Sequence, residues 1–464
     1  MMNRKRRYYL IPAFGTIFCL WYVFAATSDG IYSDYVRLVN SYLSNVWDPA
    51  RFFTPDILTR IPINYLGRII NVSWFGYNLM FDRVLGVLAL GLSGGVLTAY
   101  CIRKKISFGW LLVLMMVFFS LNKWEMLTNG SGWAHFLAFA FFYYHYEVID
   151  RVYTGEVRPH DRWKLYVLPF VTTLFIAGPY CAIYSVTVIL ACAGIFFLRK
   201  KESNRDFIRY GICSLSALVL YLGSNSFAVE DHAAPATVSL FTQLKDTPGF
   251  FARFIIKSFS SMVIGGERAE EIFSTNTPFL ILGLAVMVLY ALALWLQWRY
   301  KVYETTLFPL ILLVSGGLNH VLIVLSRWIF LRDNYGISSR YALQYQIGIL
   351  GILLTFSLVL KQQKKKVGSD WPLRLAAGAA CALFLTGNVY TTYTEIKKAP
   401  LRKNLFEKRA ELSLHFEELT DEELPKEFEY RPSRADSGEK VRSALTILKE
   451  NGYSVFHNSK EKER

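Results

Sequence analysis

Three short polar clusters in this chain stand beside long apolar runs, and each carries groups able to do chemistry. Thr27-Ser28-Asp29-Gly30-Ile31-Tyr32-Ser33-Asp34-Tyr35 follows the first apolar run directly. Charges at a membrane edge are costly, so they need a partner or a task. Asp29 and Asp34 are five positions apart and need not share one helical face. One is then free to accept a proton from a hydroxyl or to hold a cation. The other reading is an N-cap that starts a helix through Val36 and Leu43. Both readings stand for each aspartate. Asn122-Lys123-Trp124-Glu125 occupies the next short loop on the same side. There Trp124 is either an interfacial anchor or, with Lys123 and Glu125, a substrate contact. Ser338-Ser339-Arg340-Tyr341 opens a late apolar run, with Arg327 and Arg332 shortly before it. Arginine forks match phosphate oxygens. Three arginines in one outer loop therefore point to a bound anion, against the alternative of pairing with anionic lipid or Asp333.

The elements that must position these groups follow from composition. Of 464 residues, 53% are hydrophobic and only 19% charged, and long stretches hold almost no charge. Soluble domains carry about 25% charged residues. A soluble enzyme, a disordered chain, a collagen and a disulfide scaffold are excluded, and an all-α polytopic membrane protein is expected. Eleven apolar runs reach spanning length, with cores near 10–26, 81–102, 106–121, 132–148, 164–180, 181–198, 208–224, 277–297, 306–325, 341–360 and 371–388. Gly178-Pro179 is the natural break in the near-continuous stretch 164–198. Ala25-Ala26 also offers a signal-peptide cleavage site, but the aromatic content of the first run favours a retained helix.

Net charge is +15, and all of it lies in residues 1–388, because residues 389–464 hold 15 basic and 15 acidic side chains. The basic residues cluster between apolar runs, as in Arg4-Lys5-Arg6-Arg7, Arg103-Lys104-Lys105 and Lys364-Lys365-Lys366. That is the pattern of cytoplasmic loops, not of a nucleic-acid surface. A cytoplasmic N-terminus and eleven spans place the C-terminus outside. A membrane domain then covers 1–395, with long exterior loops at 27–80 and 225–276, and a small exterior segment covers 396–464.

Both long loops carry apolar residues at helical spacing. Phe250, Phe251, Phe254, Ile255, Phe259 and Met262 form one face opposite Arg253 and Lys257, as in a helix lying in the membrane interface. Ile57, Leu58, Ile61, Leu66, Ile69 and Ile70 give a looser version in the first loop. In the tail, Val441, Leu445 and Leu448 predict an amphipathic helix over 438–450, stopped by Gly452 and followed by a strand-like Tyr453-Ser454-Val455-Phe456. His135 and His320 read as hydrogen-bonded core residues. The six cysteines sit in apolar runs without metal spacing.

Taken in order along the chain, these features resemble the bacterial multi-pass glycosyltransferases of the GT-C superfamily. The resemblance rests on Asp29 and Asp34 in a long first exterior loop, Trp124-Glu125 in the second, Ser339-Arg340-Tyr341 opening a late helix, and an exterior tail running from Leu448 through Ser454-Val455-Phe456. It implies a GT-C-like fold in the bacterial cell membrane and a hexosyltransferase that uses a polyprenyl-phosphate sugar as donor. The acceptor would be a cell-surface polysaccharide or a lipid-linked glycan. The catalytic base maps to Asp34 or Asp29, and the donor phosphate to Arg340, with Arg332 and Arg327 beside it. Trp124, Glu125, Lys123 and Tyr341 are the expected substrate contacts. The family's tight acidic pair is replaced here by a wider spacing, so no cofactor is assigned, and a single Mg²⁺ or Mn²⁺ at Asp29/Asp34 stays open. A transporter or flippase for lipid-linked saccharides is the competing class, and a non-catalytic subunit of a polysaccharide assembly complex is the third. Paired repeats and mid-membrane charges, which transporters often show, are not evident in the sequence.

Overall fold

The computed structural model describes residues 2–53, 60–198, 205–225, 237–363, 371–432 and 434–457. Ile57, Leu58 and the lysines 364–366 lie outside the described residues. The chain is 83% helical with no strand among the described residues, as expected where backbone groups in lipid must be satisfied within one segment. In chain order the helices are α1 Met2–Ala26, α2 Asp34–Tyr42, α3 Pro62–Phe75, α4 Leu79–Arg103, α5 Phe108–Phe118, α6 Trp124–Thr128 and α7 Trp133–Thr154. Then come α8 Asp161–Val171, α9 Cys181–Leu198, α10 Arg205–Ser224, α11 Leu240–Asp246, α12 Pro248–Ser260, α13 Gly266–Ile272, α14 Thr277–Arg299 and α15 Val302–Thr305. The last are α16 Phe308–Arg327, α17 Ala342–Gln363, α18 Trp371–Leu414, α19 Leu424–Glu427 and α20 Ser437–Asn451.

Nine helical stretches among the described residues are long and apolar enough to cross a membrane. They match nine of the eleven apolar runs. The other two are helical but different in character. Helix α7 has 22 residues, but Glu147, Asp150 and Arg151 charge its last turns. Helix α8 has 11 residues and passes through a π-turn, Thr172–Ile176, before the three-residue turn Gly178–Tyr180 that starts α9. The expected break at Gly178-Pro179 therefore falls where the chain re-enters a helix.

Helix α17 is the hub. In the stretch Ser339–Gln363 that contains it, 94% of the residues in the apolar 18-residue window are buried, against 33% in the window within Thr277–Arg299. Helix α16 approaches it closely. A Cβ on Gly316 would stand 2.5 Å from Gly348 Cα, the small-residue contact that membrane helices use in place of a hydrophobic drive.

Helix α18 has 44 residues, about 66 Å at 1.5 Å per residue. The hydrocarbon layer is about 30 Å thick, so one continuous helix carries the chain well past it. The expected boundary at 395/396 thus falls inside a helix. The projecting end bears Phe406, which joins a second core. That core unites the first long loop with the tail, through Tyr35, Val39, Tyr42, Tyr65 and Tyr77 from one and Phe416, Phe428, Leu445 and Leu448 from the other. Each fully buried Leu or Val contributes about 1.5–3 kcal/mol. Hydrogen bonds pin the two parts together, from Ser33 N to the Phe428 carbonyl at 2.8 Å and from Ser454 N to the Gly76 carbonyl at 2.8 Å.

The tail helix forms as expected and ends on Gly452 in the left-handed conformation, φ 66°. The strand expected over 453–456 does not form: Ser454 takes φ 51° and Val455 to His457 are helical. Burial of Phe456 and the Ser454 contacts override the local β-pattern. The helix expected over the aromatic stretch at 250–262 forms as α12, but its aromatic face meets protein. Phe254 is fully buried and Phe259 stacks on His320 with centroids 3.8 Å apart. Lys257, expected on the polar face, is also fully buried and donates to Asn276 at 2.7 Å, Asp333 at 2.7 Å and Asn334 at 2.6 Å.

Candidate functional site

One end of the helical bundle gathers most of the residues singled out above. Helix α2 begins at Asp34, one residue after Ser33 at φ 50°, ψ −124°. This is a conformation that glycine adopts freely and serine does not. The Ser33 N–H bond to Phe428 holds it there, so the tail core enforces local strain beside Asp34. The Asp34 carboxylate sits in the first turn of α2, where the helix dipole favours a negative charge. It is 43% exposed, with Arg37 at 4.0 Å. Its charge also reaches Arg340 and His135.

Arg340 stands in the short turn Ser339–Tyr341 that leads into α17. Its guanidinium pairs with Glu125 from the first turn of α6 and stays 44% exposed. The Ser339 hydroxyl donates to the other Glu125 oxygen at 3.2 Å, and the Ser339 N–H donates to Glu267 at 2.9 Å. Burial pushes the Glu267 carboxyl above the usual range, the Ser339 hydrogen bonds opposing it. Glu125 and Arg340 are thus paired, and Asp34 is near enough for its charge to reach Arg340. Asp333, the alternative partner for Arg340, is instead held by Lys257 and Arg253.

Asp29 has a different environment. One carboxylate oxygen accepts the Leu79 N–H at 2.9 Å, and the other accepts the Ser454 hydroxyl at 3.1 Å. Leu79 is the first residue of α4, whose Asn78 cap takes the Met80 N–H. Asp29 therefore serves an orphan donor at a helix start from a distant part of the chain, and it ties the exit of α1 to the tail. Burial pushes its carboxyl above the usual range, with the Leu79 hydrogen bond and the Arg83 charge pulling the other way. Base or cap was open for both aspartates. Asp29 has a capping contact, and Asp34 is the more accessible carboxylate.

Lys123, expected to face substrate, points inward. It is fully buried, and its ammonium donates to the carbonyls of Phe118 at 2.7 Å and Ser120 at 2.9 Å, closing the end of α5. Trp124 carries the Arg402 guanidinium 3.3 Å above its ring centre, and Arg402 pairs with Glu395 at 2.5 Å. Arg332 is exposed in the turn after α16, and its side chain makes no ion pair among the described residues. The three expected phosphate-binding arginines are therefore not one cluster of contacts.

Arg327 belongs to an adjoining group that the sequence reading did not assemble. Its guanidinium lies 6.0 Å from the Tyr341 ring centre, and its charge reaches Tyr180. Tyr180 meets His135 edge-on at 5.1 Å and lies in hydrogen-bonding reach of Gln344. Arg327 Nε and Gln344 Oε1 are buried without a hydrogen-bond partner among the described residues. The two side chains also lie in hydrogen-bonding reach of Tyr341 and Tyr180, respectively. The His135 ring is enclosed by these neighbours, in keeping with the expected core position.

Among the described residues, no group of three His, Cys, Asp or Glu side chains could hold a metal ion. Compared with known proteins, the chain matches no family model, no curated protein and no solved structure.

Proposed function

We propose that this chain is a membrane glycosyltransferase that moves a sugar from a polyprenyl-phosphate donor to a surface glycan or lipid-linked acceptor. The observation that carries the reading is the pairing of Glu125 with Arg340 at one end of the helical bundle, with the exposed Asp34 carboxylate near enough for its charge to reach that arginine. In this reading that end faces the cell exterior. Asp34 removes the proton from an acceptor hydroxyl as its oxygen attacks the anomeric carbon. The bond from that carbon to the phosphate oxygen breaks, and the polyprenyl phosphate leaves with the electron pair. Arg340 stabilises the charge on the departing phosphate, with Glu125 holding the guanidinium in place.

The competing transporter reading would place its charges near the bilayer centre on broken helices. The cluster favours an enzyme because it sits at helix ends. The test is transfer of radiolabelled sugar from a polyprenyl-phosphate donor by purified protein in proteoliposomes supplied with cell-surface glycan. Wild type is expected to label the glycan and Asp34→Asn to lose that labelling while keeping its elution profile. Movement of the intact donor across the bilayer without label transfer would overturn the reading in favour of a flippase.

A further inference from the structure

The opposite end of the bundle holds a groove of about 630 Å³ that the proposed reaction does not use. Its floor is α4 and its walls are α1 and α7. The α4 residues that line it run from Leu88 to Ala99, about 16 Å along the helix at 1.5 Å per residue. That is close to half of a hydrocarbon layer about 30 Å thick, so the groove is one leaflet deep. Its side is open to lipid, as the 61% exposure of Leu92 shows. The space beside Gly95 is open, since a Cβ placed there would meet nothing within 4 Å.

The groove ends at Glu147, Arg151 and Arg158. The carboxylates here are matched by bases: Glu147 by Arg103 and Arg151, Asp150 and Glu156 by Arg103 and Lys104, and Asp161 by Arg151 and Lys164. Arg158 is exposed and makes no ion pair among the described residues. It adds one uncompensated positive charge at the groove mouth. Trp163, 65% exposed a few residues on, is of the type that anchors at headgroup level.

We propose that this groove holds an acyl chain of an anionic phospholipid, with the lipid phosphate on Arg158. An apolar channel one leaflet deep, ending in a cation at headgroup level, complements that molecule in length and charge. A polyprenyl carrier chain is far longer than the groove.

The experiment is native mass spectrometry of the delipidated full-length protein titrated with phosphatidylglycerol or phosphatidylcholine. Wild type should retain phosphatidylglycerol in preference to phosphatidylcholine. Arg158→Glu, an exposed substitution, should cut that retention about tenfold, the factor for losing one charge-assisted hydrogen bond. Gly95→Leu should lower retention of both lipids by filling the channel. Equal binding of the two lipids, wild-type retention in both variants, or displacement of phosphatidylglycerol by equimolar polyprenyl phosphate would each overturn the proposal. The readout is lipid mass, so it stands or falls apart from the sugar-transfer reading.

Discussion

Replacing Asp29 by Ala tests the difference between the two aspartates most sharply on the structural side. The substitution strips the Leu79 N–H and the Ser454 hydroxyl of their acceptor at once. Losing a helix cap costs about 0.5–2 kcal/mol, and leaving a buried donor unmet costs about 1–3 kcal/mol. The combined loss is about 2–4 kcal/mol, since the two terms overlap. It should show as a lower unfolding midpoint in detergent and as faster tryptic cleavage of the tail, which Ser454 helps to anchor. Asp29→Asn keeps one carbonyl acceptor and should lose less. The pH dependence has a definite sign. Burial raises the folded carboxyl above its unfolded value, so the folded state binds the proton more tightly than the unfolded state. Wild-type stability from this group is then greatest below the unfolded pKa of about 4 and falls as pH rises through the folded value. Asp29→Asn lacks that fall, so the two proteins should diverge in midpoint as pH rises through this window. An Asp29→Ala protein with wild-type melting and cleavage, or a difference between wild type and Asp29→Asn that is flat with pH, would refute the tether.

Lys123→Ala should lower the melting midpoint by removing the donors that close α5, at a cost of about 1–3 kcal/mol, while leaving KM for the sugar donor unchanged. A rise in KM at unchanged stability would return Lys123 to the substrate. Asp333 should show the opposite pH sign to Asp29: burial works against its charge, but hydrogen bonds from Lys257 and Arg253 hold its carboxyl below the usual range. Its contribution is present above the unfolded pKa of about 4 and is lost as pH falls through the folded value. Acid-melting curves of Asp333→Asn should therefore be flatter than wild type below pH about 4. Arg340→Lys should lose most of the transfer rate despite keeping the charge, because a lysine does not reproduce the guanidinium fork. Initial rates at saturating donor check this, and full activity in the lysine variant would remove the forked phosphate contact.

The membrane class was legible in the sequence because lipid imposes its constraint locally, on about 20 consecutive residues at a time. The same locality explains the tail helix over Val441, Leu445 and Leu448 and the break at Gly178-Pro179. What local pattern hid was everything decided by contacts between distant segments. The Tyr35–Leu445 core joins the first loop to the tail, and no window of sequence contains both. The fate of Asp29 depended on Ser454, and that of Lys123 on the carbonyls left open at the end of α5. The Tyr453-Ser454-Val455-Phe456 stretch alternates like a strand, yet its partners are a helix start and an aromatic core. Charge pairing was legible by region and not by partner: the sequence placed Arg340 among outer arginines, and only the fold supplies Glu125. The group formed by His135, Tyr180, Arg327 and Gln344 draws on four elements and leaves no spacing to read.

The central claim is that Asp34 and Arg340 act on one reactant in one step. A double-mutant cycle on kcat/KM for sugar transfer, with Asp34→Asn, Arg340→Gln and the pair combined, measures it directly. Loss of the base should slow transfer by about 10²–10⁴-fold, and groups that act as a unit are non-additive. The doubly substituted protein should therefore be little slower than the slower single variant. Two losses that multiply in full, or an Asp34→Asn protein as active as wild type, would contradict the account.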